Sequence, residues 1–131
     1  MPHLTVDYSA NMEDRVDMPG LCDVLRRAAI ETGVLPMAGV RVRAIRADHV
    51  SIADGDPAHG YIDIALRLRG GRDLETRKAA TAHVFAAAET FLAPAMAQHS
   101  IALSFEMRDI DPVLSPKSGT IRDHLKGDAH E

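Results

Sequence analysis

The 131-residue chain predicts an α+β fold in which one β-α-β unit occurs twice, giving a single four-stranded sheet with two helices on one face. Three observations predict it. Apolar and polar residues alternate in four short stretches, as in half-buried strands. A stretch with helical periodicity lies between the first and second of these, and another between the third and fourth. A polar turn separates the two halves, after which the pattern restarts.

The elements follow in order. Leu4, Val6 and Tyr8 alternate with His3, Thr5 and Asp7, a strand with one face inward. Asp17 can cap a helix whose first turn tolerates Pro19. Leu21, Val24, Leu25, Ala28 and Ala29 trace one face of that helix, and Gly33 closes it. Val40 and Val42 alternate with Arg41 and Arg43 in a second strand, and Ala53-Asp54-Gly55-Asp56-Pro57 makes the turn. Ile62, Ile64, Leu66 and Leu68 then mark a third strand, broken by Gly70-Gly71. A longer helix starts near Asp73, with Phe85, Ala88, Leu92 and Ala95 along one face; Pro94 should bend or end it. Leu103, Phe105 and Met107 alternate with Ser104, Glu106 and Arg108 in a fourth strand. Asp111-Pro112, Pro116 and Gly119 mark an irregular tail with one short helix around Thr120–Leu125. The whole of 1–131 is expected to be one domain, with a first unit at 2–46, a second at 60–109 and a tail at 110–131. Each helix is long enough to return the chain to a parallel strand. One sheet face is then left open, which predicts an oligomer that covers it.

Composition narrows the function. Charged residues make up 26% and apolar ones 46%, ordinary for a globular domain. A net charge of −4 without any basic stripe argues against nucleic acid as a partner. No apolar stretch is long enough for a membrane span and no leader is evident, so a cytoplasmic location is expected. The single cysteine, Cys22, fits a reducing compartment and reads as a small buried apolar residue.

Few residues are placed to carry chemistry. The seven histidines are scattered, with no helical pair and no ligand-like spacing, so no metal is expected. Arg41 sits within an alternating strand, and Arg72 follows two glycines at a strand-to-helix turn, where a cation is mildly unfavourable. The spacing in GGRDLE is not that of a phosphate loop. Pro2 follows Met1 directly. If Met1 is removed, Pro2 carries a free secondary amine at the head of a strand; with Met1 attached, its nitrogen is an amide without basicity.

Several stretches together are specific: MPHLTVDYS, DMPGL, ETGVLPMAGVRVRA, the IADG turn, GGRDLETRKAA and ALSFEMRDIDP. On them the chain resembles the tautomerase superfamily, and within it the 5-carboxymethyl-2-hydroxymuconate isomerase family, over nearly its whole length. The resemblance implies a cofactor-free homotrimer that ketonises a dienol carboxylate in aromatic-compound degradation. It carries the catalytic proline over to Pro2 and the two catalytic arginines, which also hold substrate carboxylates, to Arg41 and Arg72. Arg43 falls in matching sequence but takes no role. A longer acidic tail after Lys126 and Pro94 depart from the family pattern; neither is expected to touch the site.

The duplication sharpens the carry-over. The head of the second unit is Gly60-Tyr61, where no terminal amine can exist; Ala102-Leu103-Ser104 stands where the first unit has Val-Arg-Val; Met12–Arg15 stands where the second has Gly-Arg. One site per subunit follows. Two other readings stay open: the same fold acting on another enol or keto acid, or a non-catalytic binding trimer if Met1 is retained.

Overall fold

The computed structural model describes residues 1–126, so the acidic tail beyond Lys126 lies outside the described residues. Strands β1 (His3–Ser9), β2 (Arg41–Ala47), β3 (Gly60–Arg69) and β4 (Ile101–Ile110) form one sheet in the order β2-β1-β3-β4. Helix α1 (Met18–Glu31) connects β1 to β2, and α2 (Leu74–Gln98) connects β3 to β4. Each unit is a parallel pair, β1 with β2 and β3 with β4; the two meet through the antiparallel pair of β1 and β3. The duplicated halves therefore run in opposite directions, and their strand heads point to opposite ends of the molecule.

Side-chain period explains the layering. Leu4, Val6 and Tyr8 of β1 and Ile62, Ile64, Leu66 and Leu68 of β3 all point to the same side and are buried. They meet Leu21, Leu25, Ala28 and Ala29 of α1 and Val84, Ala88 and Leu92 of α2. Burying one such aliphatic side chain contributes about 1.5–3 kcal/mol, so the two central strands hold the fold together. The edge strands contribute half-buried residues such as Val42, Leu103, Phe105 and Met107.

Both helix starts follow from a capping aspartate. The Asp17 carboxylate accepts from the Gly20 amide at 3.0 Å, and the Asp73 carboxylate from Thr76 at 2.8 Å. Pro19 sits in the first turn of α1, where its missing N–H costs nothing.

Three expectations need correction. The helix α2 does not end at Pro94 but runs on to Gln98. Pro94 is exposed, one turn from the helix end, so the hydrogen bond it forfeits lies beside water. The buried row of α2 is Ala80, Val84, Ala88 and Leu92, with Phe85 turned aside to meet Phe105 edge-on at 6.1 Å. Finally, His3 pairs with Arg41 and Tyr61 with Ala102, so the counterpart of Arg41 is Ala102, one residue from the alignment read in the sequence.

Candidate active site

The head of β1 is where the sequence-predicted residues meet. Pro2 is fully buried, and its carbonyl accepts from the Arg41 amide at 3.2 Å, extending the β1–β2 ladder to the proline itself. Gly39, in the turn before β2, lets the chain close on it: a Cβ there would sit 3.0 Å from the Pro2 Cδ and 3.5 Å from the Met1 Cα. Met1 lies outside Pro2 in a cleft of about 440 Å³ lined by Pro36, Gly39, Arg41, Lys117 and Arg122 among others.

The amine in this structure belongs to Met1, and it marks the surroundings that the Pro2 nitrogen faces from one residue further in. Burial lowers its pKa from the ordinary value, and the cations Lys117, Arg72, Arg41 and Arg69 lower it further. Both causes disfavour the protonated form. The leading charges acting on this amine are all cations, which is the condition for holding a base free and anions close.

Arg72 reaches this end from the other unit. Gly71 adopts φ +119°, a conformation open to glycine, and turns the chain out of β3. The Arg72 guanidinium then donates from Nη1 to the Arg69 carbonyl and from Nη2 to the Val34 carbonyl, each at 2.9 Å. Val34 belongs to the loop between α1 and β2, so this side chain bridges the two halves. Arg72 is near enough to act on the amine, yet it does not line the cleft. Arg41 lines it, with Nε donating to the Gly39 carbonyl at 3.3 Å.

Two groups went unread in the sequence. Arg69 closes β3 and donates to the Pro112 carbonyl at 3.2 Å. Lys117 stands on the tail. The sequence marks the chain beyond Asp111-Pro112 as irregular and gives it no part in the site; in the structure it folds back as a wall of the cleft, from Lys117 to Asp123. No periodicity or motif signals this, because the placement comes from tertiary contacts. Gly39 lay within a quoted stretch, but its close approach to Pro2 had no local signature.

The remaining candidates lie apart. Arg43 stands on the open sheet face, 3.4 Å from His3 Nδ1. Burial lowers the His3 pKa, as do Arg41, Arg67 and Arg43. His59 bridges Asp54 and Ser100, and His83 meets Glu31. Among the described residues no three His, Cys, Asp or Glu side chains converge as metal ligands, and no helix is long and apolar enough to cross a membrane. A concavity of about 710 Å³ between α2 and β4 shares no residue with the cleft.

A four-stranded mixed sheet with two helices on one face and a proline at the head of a central strand defines an α+β fold of two β-α-β units. Distant solved structures share that fold at 18% identity, among them a fused symmetric trimer. The model of the 5-carboxymethyl-2-hydroxymuconate isomerase family matches residues 2–125, and the chain belongs to that family. The 5-carboxymethyl-2-hydroxymuconate Delta-isomerase of Escherichia coli is 33% identical over 121 residues, 92% of this chain and 96% of that protein. A crystal structure of a 5-carboxymethyl-2-hydroxymuconate delta-isomerase matches with a TM-score of 0.89 at 30% identity, covering 98% of this chain and 95% of the other. A 5-carboxymethyl-2-hydroxymuconate isomerase from Deinococcus radiodurans R1 matches with a TM-score of 0.86 at 26% identity, covering 95% of each chain.

Proposed function

We propose that the protein is an isomerase that ketonises 5-carboxymethyl-2-hydroxymuconate, with the Pro2 amine as the base that becomes the acid. The observation that carries this reading is the buried proline directly behind Met1, beside a cleft where the leading charges acting on the terminal amine are the cations Lys117, Arg72, Arg41 and Arg69. Removal of Met1 turns the Pro2 nitrogen from an amide into a secondary amine and extends the cleft to it. That amine takes the proton of the 2-hydroxyl. The electron pair moves along the conjugated chain, and the prolinium returns a proton to a distant carbon. One proton leaves and one arrives, so the step balances without an electron acceptor.

The arginines supply what the amine lacks. As cations they depress the amine and attract carboxylates together. Arg41 lines the cleft, and its terminal nitrogens serve a bidentate carboxylate. Arg72, fixed by two carbonyls, keeps its remaining N–H groups for a substrate carboxylate or for charge developing on the C2 oxygen. Base-to-acid transfer typically supplies ~10²–10⁴-fold, and electrostatic stabilisation the larger part of the rest.

The working unit in this reading is a homotrimer in the cytoplasm. The sheet face away from the helices supports it, since neither helix of the described residues covers that face. Exposed Ile45, Val113, Leu114 and Ile121 add apolar surface suited to a neighbouring subunit.

The test follows loss of dienol absorbance with 5-carboxymethyl-2-hydroxymuconate. Turnover is expected from the wild type, with kcat/KM falling about 10²–10³-fold in Arg41→Met and in Arg72→Met. A folded wild type that leaves the dienol unchanged would sink the reading.

A further inference from the structure

We propose that Lys117 holds the third carboxylate of the substrate, the one beyond the two that Arg41 and Arg72 take, and so sets a preference for a tricarboxylate over a dicarboxylate dienol. The assignment rests on the isomerase reading above: 5-carboxymethyl-2-hydroxymuconate carries a carboxylate at each end of the muconate chain and a further one on the carboxymethyl branch.

Geometry places the lysine at the right point. It lines the main cleft with Arg41, and it also lines a smaller concavity beside Met1 with Arg69, Ile110 and Ser115. Apart from Met1, no other residue lines both. Its position is fixed from the tail's root. The Ile110 carbonyl accepts from Gly70, Arg69 donates to the Pro112 carbonyl, and the Asp111 carboxylate accepts from the amides of Val113 and Leu114. The segment that delivers Lys117 thus leaves the sheet next to the turn that delivers Arg72.

Charge leaves the lysine available. On the same wall Arg122 and Asp123 offset one another in net charge, and Lys117 makes no ion pair among the described residues. Arg41 and Arg72 each spend N–H groups on backbone carbonyls, which orients them but narrows the directions they can serve. A lysine ammonium is a point charge on a flexible stem, suited to a carboxylate on a rotatable branch. The ordering of charges around the terminal amine agrees, with Lys117 the strongest of the cations acting on it.

The experiment compares Lys117→Met and Lys117→Arg with wild type on two substrates, 5-carboxymethyl-2-hydroxymuconate and 2-hydroxymuconate, which lacks the branch carboxylate. Rates are taken on the high-pH plateau, where the base is already free. Losing one charge-assisted hydrogen bond should raise KM for the tricarboxylate about 10- to 100-fold in Lys117→Met, with KM for the dicarboxylate changed less than about twofold. Lys117→Arg should recover most of the difference. Lys117 is exposed, so both variants should fold, and unchanged melting temperatures check this. Equal effects on both substrates, or none on either, would overturn the assignment and leave the isomerase reading intact. A wild type inactive on both substrates would instead remove the isomerase reading, and this assignment with it.

Discussion

Pro2 and Gly60 stand at the heads of the two central strands, at equivalent places in the repeat and at opposite ends of the sheet. Beside Pro2 the chain leaves a cleft lined by cations, with Gly39 packed close against the proline. Around Gly60 the space is filled. A Cβ there would collide with the Met12 Cε and sit 2.7 Å from the Asn11 Oδ1 and 3.0 Å from the Ser9 Oγ. Ser9, buried completely, donates to the Asn11 Oδ1 at 2.6 Å and accepts from the Tyr61 amide at 3.0 Å. Asn11 in turn donates to the His59 carbonyl at 2.8 Å. Both ends carry a cleft, of about 440 Å³ beside Pro2 and about 410 Å³ among the loops near Gly60, but only the first is ringed by Arg41 and Lys117; at the second the strand head itself is closed by side chains that satisfy each other. The same backbone plan serves both because strand pairing constrains the ladder, not what lies beyond the first residue of the strand.

The largest expected effect breaks the open end alone. Protein that retains Met1, confirmed by intact mass, has an amide at Pro2; its turnover should fall at least ~10²–10⁴-fold, with an unchanged melting temperature. Normal turnover with methionine fully present would end the proline mechanism. The next effect breaks the closed end alone. Ser9→Ala leaves the Tyr61 amide and Asn11 without their partner in a buried place, costing about 1–3 kcal/mol. Denaturant unfolding should show that loss, while kcat of the folded enzyme stays at the wild-type value. If both variants lost activity and stability together, the two ends would not be the separate regions described above.

The smallest effect sharpens the comparison through pH. The base must be unprotonated to act, and burial together with Lys117, Arg72 and Arg41 lowers the amine at this end of the molecule. The acid limb of kcat/KM should therefore fall below the ordinary α-amine range of about 7.7–8.0. Activity then persists as pH drops through that range and is lost only below it. Removing one of these cations, as in Lys117→Met, should move the limb upward. A limb at or above the ordinary range would show that the cations do not govern the base.

The strands were legible because β3 alternates along its whole length and β1 and β4 along all but their last residues, and in β1 and β3 the inward apolar residues are buried. The start of α1 was legible from Asp17 and Pro19, whose roles are local. The buried face of α2 was not, because alanines surround the helix and leave no apolar stripe to single out; tertiary packing chose Val84 over Phe85. At the site, Arg41 and Arg72 could be named from sequence, but not the carbonyls of Arg69 and Val34 that orient Arg72. Those bonds join residues far apart in the chain. Lys117 was invisible for the same reason: a lysine in an irregular tail has no pattern to mark it, and only the folding back of the tail gives it a neighbour.

That folding back brings the beginning of the chain and its last described segment to the same small space. Neither end is neutral ground for a fusion. In the proposed mechanism a tag at the front would keep the Pro2 nitrogen an amide, whereas one joined after Lys126 would follow closely on the segment that carries Lys117. For anyone preparing the protein, the safer attachment points are the far loops, such as the polar turn around Asp54–Pro57 at the opposite end of the sheet.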